Sequence, residues 1–243
     1  MNGGDTGIPP TEAVVFDCDG TLLDTEPRWD LAERRFLREL GGVWGPSIRQ
    51  HLRGLSLLAS ARLLTEVADV RIAEDEAVDR LIWHFERVTD EAGVPLMPAA
   101  GALVDALARS GVRLAVASNT PEPLLQRLLQ RADVRSHFSV VVAAGAELAP
   151  KPAPDLYLTA CSHLGVEPAS THALEDSQPG VDAALAAGLR VTAVNADATV
   201  RLVGCRQVTG LQELSLQRLG ILQTSNRQSP GNGPDDDTGE QRE

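Results

Sequence analysis

A chain of 243 residues with 34 acidic and 22 basic side chains carries a net charge of -12, which repels nucleic acid and anionic membranes. Hydrophobic residues make up 43% but aromatic ones only 3%, so any core rests on Leu, Val and Ala, in one large domain or two smaller ones. Cys18, Cys161 and Cys205 are far apart and lack metal-ligand spacing, which points to reduced thiols in a cytoplasmic setting.

Residues 1–11 are rich in Gly, Pro and Thr without pattern and read as a flexible lead-in. The first ten residues lack the basic and apolar regions of a signal peptide, and no apolar run has the length of a membrane span. Residues 13–16 form a short Val-rich run that suits a strand buried on both faces of a parallel sheet. It stops at Asp17 and Asp19, which strand geometry would turn to the same side, and Gly20 lets the chain swing away. Cys18 lies between them and, by alternation, faces away as a small packed residue.

The period then changes. Trp29, Ala32, Phe36, Leu37 and Leu40 recur at helical spacing over residues 26–40, with Pro27 in the first turn and Gly41-Gly42 as the stop. Residues 55–64 and 73–92 read as further helices, so 26–95 is expected to be an inserted α-helical domain. Beyond Pro95 and Pro98 the pattern alternates. Helices are predicted over 100–109, 122–132, 154–164, 179–187 and 210–222, and strands over 112–117, 138–143, 171–175 and 190–194. Residues 12–25 and 96–222 therefore predict an α/β core with a doubly wound parallel sheet and right-handed crossovers. Residues 223–243 have almost no apolar content and read as a disordered tail.

Four strand ends in this order carry polar residues. The first supplies Asp17 and Asp19, and the second Ser118-Asn119-Thr120, whose hydroxyl and N–H groups before a helix suit a phosphate. Lys151 follows, held between Pro150 and Pro152, and then Glu175-Asp176. Together they suggest phosphoryl transfer to a carboxylate. Asp17 is the nucleophile, and Asp19 gives a proton to the leaving oxygen and later takes one from water. Lys151 and Ser118 hold the phosphoryl oxygens, while Asp17, the Asp19 carbonyl, Glu175 and Asp176 hold magnesium (Mg2+).

The segments Asp17-Cys18-Asp19-Gly20-Thr21, Ser118-Asn119, Lys151-Pro152-Ala153-Pro154-Asp155 and Glu175-Asp176-Ser177-Gln178-Pro179-Gly180 resemble, in order, the signature segments of the haloacid dehalogenase superfamily. The chain looks most similar to its β-phosphoglucomutase and sugar-phosphate phosphatase branch. The resemblance implies that the helical insertion is a cap, and that the acid at Asp19 serves phosphate chemistry rather than dehalogenation. Where the mutase has a cap-proximal histidine this chain has Trp29, and its Gly54-Leu55-Ser56 turn is followed by Leu57 instead of arginine. Those departures favour a phosphatase that hydrolyses a small phosphorylated metabolite, with Arg28, His51 and Arg53 as candidate contacts to its leaving group. The alternatives are a β-phosphoglucomutase-type phosphotransferase and a non-catalytic binding protein on the same fold. The expected partner is the metabolite alone, without nucleic acid or membrane, and the chain is expected to be a monomer.

Overall fold

The computed structural model describes residues 9–52, 55–197 and 199–221. Strand β1 (Ala13–Phe16) is followed by four helices, α1 (Glu26–Glu39), α2 (Pro46–Leu52), α3 (Leu57–Val67) and α4 (Glu74–Ala92). The chain then alternates through α5 (Ala100–Arg109), β2 (Arg113–Ser118), α6 (Glu122–Arg131), β3 (Val140–Ala143), α7 (Asp155–Leu164), β4 (Thr171–Glu175), α8 (Gln178–Ala186), β5 (Arg190–Val194) and β6 (Arg206–Val208).

The six strands form one parallel sheet in the order β3-β2-β1-β4-β5-β6, the doubly wound arrangement that the alternation predicts. Strand β1 is central, and its Ala13, Val14, Val15 and Phe16 have no solvent exposure. Burying a side chain such as Val15 or Phe16 stabilises the fold by roughly 1.5–3 kcal/mol. Val14 and Phe16 face α5, α6 and the helices after β1, whereas Ala13 and Val15 face α7 and α8. In register, Phe16 lies beside Val116 of β2 and Leu174 of β4. The residues that follow, Asp17, Ala117 and Glu175, are therefore brought level at the carboxyl edge. Strand order reverses there, between β1 and β4, which is where open α/β sheets bind ligands.

The apolar layer on the Phe16 side continues through Cys18, Leu22 and Leu23 into Phe36, Leu64, Leu81 and Phe85 of the helical insertion. The two crossings between insertion and sheet run side by side, with the Asp24 N–H donating to the Pro95 carbonyl at 2.9 Å and the Met97 N–H to the Leu22 carbonyl at 2.9 Å. No helix among the described residues is long and apolar enough to cross a membrane.

The structure departs from the expected elements at three places. Helix α2 and strand β6 have no counterpart in the periodicity, because each is short and largely polar. Over 210–221 the expected long helix is replaced by one tight turn, Leu211–Glu213, followed by bends. Leu211, Leu219 and Ile221 are buried all the same. The carbonyls of Leu219 and Gly220 accept hydrogen bonds from the Thr11 hydroxyl and N–H, and Gly220 at φ 72° ends the segment. This tie to the start of β1 fixes the segment as a strap across the sheet, where the apolar count alone reads as helix.

Candidate active site

The buried centre of the site is Lys151. Its Nζ donates to Asp17 Oδ1 at 2.6 Å and to Glu175 Oε1 at 2.5 Å, and the residue is 7% exposed. Asn119 holds the lysine's backbone, accepting from the Lys151 N–H at 2.9 Å and donating to its carbonyl at 3.4 Å. Burial would lower the ammonium's pKa, but the Asp17 and Glu175 carboxylates outweigh it and hold Lys151 firmly charged.

Glu175, wholly buried, is enclosed. Its Oε1 also accepts from the Tyr157 hydroxyl at 2.5 Å, and its Oε2 from the Asp176 N–H and the Ser177 hydroxyl, both at 3.2 Å. The Lys151 ammonium sits 5.2 Å over the Tyr157 ring. Burial and the adjacent Glu175 charge push the Tyr157 phenol well up, so it stays a donor.

Asp17, Glu175 and Asp176 present carboxylate oxygens within 4.8 Å of one another. Three carboxylates around one ammonium leave two negative charges in excess in a site mostly shut off from water. Burial raises the Asp17 carboxyl well above its usual range against the pull of Lys151, and it raises Asp176 to about 7, helped by Glu175. An all-oxygen donor set with that excess fits a hard divalent cation. The glycine turn brings the backbone into this cluster. A methyl group on Gly20, at φ 81°, would lie 2.2 Å from Asp176 Oδ2.

Asp19 makes contacts of its own. Its Oδ1 accepts from the Thr25 hydroxyl at 2.6 Å and from Trp29 Nε1 at 3.3 Å. Its Oδ2 accepts from the Thr120 hydroxyl at 2.7 Å and the Ser118 hydroxyl at 3.4 Å. Asp17 thus faces the lysine, and Asp19 faces the β2 loop and α1. Cys18 is fully buried, and burial followed by the flanking Asp19 and Asp17 charges pushes its thiol well up, the state of a packed residue.

The structure therefore brings Asp17, Asp19, Ser118, Asn119, Lys151, Glu175 and Asp176 to one edge of the sheet. Arg28 sits elsewhere, across the two crossings of the insertion. It donates to the Gly93 carbonyl at 3.2 Å through Nε and to the Asp24 carbonyl at 3.1 Å through Nη1. His51 is exposed, with Nδ1 2.7 Å from the Ser47 carbonyl one turn back, and Arg53 lies outside the described residues. The contacts of Tyr157 and Thr25 escape the sequence reading. Thr120 stands in the loop expected to face a phosphate and Trp29 at the place of the mutase's cap-proximal histidine, but neither is read there as a partner of Asp19.

This sheet, with its acids and lysine at the carboxyl edge, is the scaffold of a haloacid dehalogenase-like hydrolase. That family's model matches residues 11–188, and the chain belongs to the family. Hexitol phosphatase B of Escherichia coli K12 is 32% identical over 192 residues, covering 76% of this chain and 83% of its own. The phosphorylated carbohydrates phosphatase of Thermotoga maritima is 29% identical over 178 residues, covering 73% of this chain and 82% of its own. Among solved structures, a CbbY mutant from Rhodobacter sphaeroides in complex with xylulose-(1,5)bisphosphate has a TM-score of 0.74 at 27% identity. The match covers 87% of this chain and 100% of that one.

Proposed function

We propose that this enzyme is a magnesium-dependent phosphatase that hydrolyses a small phosphorylated metabolite, a sugar phosphate, through a phosphorylated Asp17. The observation that carries this reading is the Lys151 ammonium between Asp17 and Glu175, with Asp176 completing a group of three carboxylates at the sheet's carboxyl edge. The names of the relatives, two of them phosphatases of sugar or sugar-alcohol phosphates, support the substrate class.

The Asp17 carboxylate bonds to phosphorus as the ester P–O bond breaks, and Asp19 passes a proton to the departing oxygen. Asp19 then takes a proton from water as the water oxygen bonds to phosphorus. The bond between phosphorus and Asp17 breaks, and inorganic phosphate leaves. Lys151 faces the charge that spreads over the phosphoryl oxygens, and the Ser118 hydroxyl and the N–H groups of its loop add donors. Asp17 and Asp176 would hold the cation, together with the Asp19 carbonyl, and Glu175 adds its charge while anchoring Lys151. Bound there, magnesium would supply positive charge against the incoming phosphate.

The helical insertion, residues 26–95, is the cap in this reading, and the core is 12–25 with 96–222. Three unpaired cysteines fit a reducing, cytoplasmic setting, and the chain acts as a monomer on its metabolite. The test is Asp17→Asn, which keeps the size of the side chain and a partner for Lys151. Phosphate release from hexose and hexitol phosphates should vanish while the thermal transition is kept. Substantial turnover by the variant would overturn the proposal, and interconversion of hexose 1- and 6-phosphates without release would indicate a mutase.

A further inference from the structure

Trp29 stands in the second turn of α1, half-buried between the helical insertion and the sheet. Two contacts define it. Its Nε1 donates to Asp19 Oδ1 at 3.3 Å, and its ring stacks on Phe85 of α4, with centroids 3.7 Å apart and planes at 19°. Phe85 has no solvent exposure. The indole is thus located by the helical layer while its one polar atom reaches a carboxylate of the sheet edge.

We infer that Trp29 is a positioning residue for proton delivery by Asp19, an inference that rests on the proposed acid role of Asp19. An indole N–H can only donate, unlike the hydroxyls of Thr25, Ser118 and Thr120, which also accept. Oδ1 must therefore remain an acceptor for as long as Trp29 contacts it. The proton bound for the leaving oxygen belongs on Oδ2, whose partners Thr120 and Ser118 can turn their hydroxyls to accept. Trp29 fixes both the direction of the carboxyl group and the oxygen that delivers the proton. The stack on Phe85 ties that arrangement to the seating of the helical insertion over the sheet.

The test separates proton delivery from general damage through the leaving group. p-Nitrophenolate departs readily without a proton, whereas the phenolate of phenyl phosphate gains more from one. Trp29→Phe keeps the aromatic stack and removes the N–H. Its kcat/KM, which reports the step in which the leaving oxygen departs, should fall about tenfold further on phenyl phosphate than on p-nitrophenyl phosphate, against a larger gap of the same sign for Asp19→Asn. Equal losses on the two esters, or none, with the Asp19→Asn gap present would overturn the role of Trp29 and leave the acid role standing. No gap in Asp19→Asn would remove the acid role and this inference with it. If Trp29→Phe does not fold, Phe85→Leu, which frees the indole, must show the same leaving-group gap, and its absence would equally overturn the inference.

Discussion

The α-carbon of Gly180 packs directly against the carboxylate of Glu175. A methyl group added at Gly180 would lie 2.0 Å from the Glu175 carboxyl carbon and from both of its oxygens. Glu175 cannot move alone, because Lys151, Tyr157, the Asp176 N–H and Ser177 are all bonded to its carboxylate. Gly180→Ala should therefore push Glu175 away and carry Lys151 with it. Misplacement of about 1 Å at a catalytic group costs on the order of a hundredfold in rate, and that is the loss expected in kcat. The Gly145→Ala change, where no atom lies within 4 Å of the added methyl, is the control and should leave kcat as it was. Steady-state kinetics of the two variants decide the point.

The ends of β1, β2 and β4 are legible in the sequence because each apolar run halts at a polar residue, and parallel register then sets those residues side by side. Lys151 is legible through the prolines around it. Tyr157 is not. Six residues further on, it falls within the apolar face of α7 beside Leu156 and Ala160, so the spacing reads it as core, and only the fold puts its hydroxyl on Glu175. Trp29 reads as a member of the apolar stripe of α1 that stands where the mutase has a histidine, and only the fold puts its indole N–H on Asp19. Arg28 reads as a contact to the leaving group, yet its partners are the carbonyls of Asp24 and Gly93 and the Asp24 carboxylate, brought together when the insertion closes on itself. The strap over 210–221 reads as helix because its bonds to Thr11 span about the whole chain, and no local pattern carries them.

With a cation at the proposed site, the acid cluster should make stability depend on both metal and pH. Burial raises the Asp176 carboxyl from 3.8 to about 7. Between those values the folded chain keeps a proton that the unfolded chain has released, so folding stability declines as pH rises through that window. A cation bound by Asp17 and Asp176 offsets the repulsion among ionised groups, and at lower pH it must first displace a proton. Magnesium chloride should therefore raise the Tm more at pH 8 than at pH 6, and Asp176→Asn should shrink the difference. Differential scanning fluorimetry with and without the salt measures it. Equal shifts at both pH values in the wild-type chain would contradict the assignment of Asp176 to the cation.

A second pH dependence resides on β4 at the end away from the site. His172 is 7% exposed, its Nε2 lies 2.8 Å from the Thr192 hydroxyl, and its buried Nδ1 has no hydrogen-bond partner. Burial, reinforced by the charges of Arg190 and Arg206, lowers its pKa from 6.5 to about 4. The unfolded chain takes up a proton below 6.5, and the folded chain does so only near 4. Stability contributed by the neutral ring is thus complete above 6.5 and is lost as pH falls towards 4. A tenfold difference in proton affinity is worth about 1.4 kcal/mol, so the loss attributable to this residue is on the order of 3 kcal/mol. Urea unfolding of the wild-type chain and of His172→Gln at pH 7 and pH 4.5 isolates it. The variant, lacking the titrating ring, should lose less stability between the two pH values than the wild type, and an identical loss in both would mean that the folded ring takes up its proton as readily as the unfolded one.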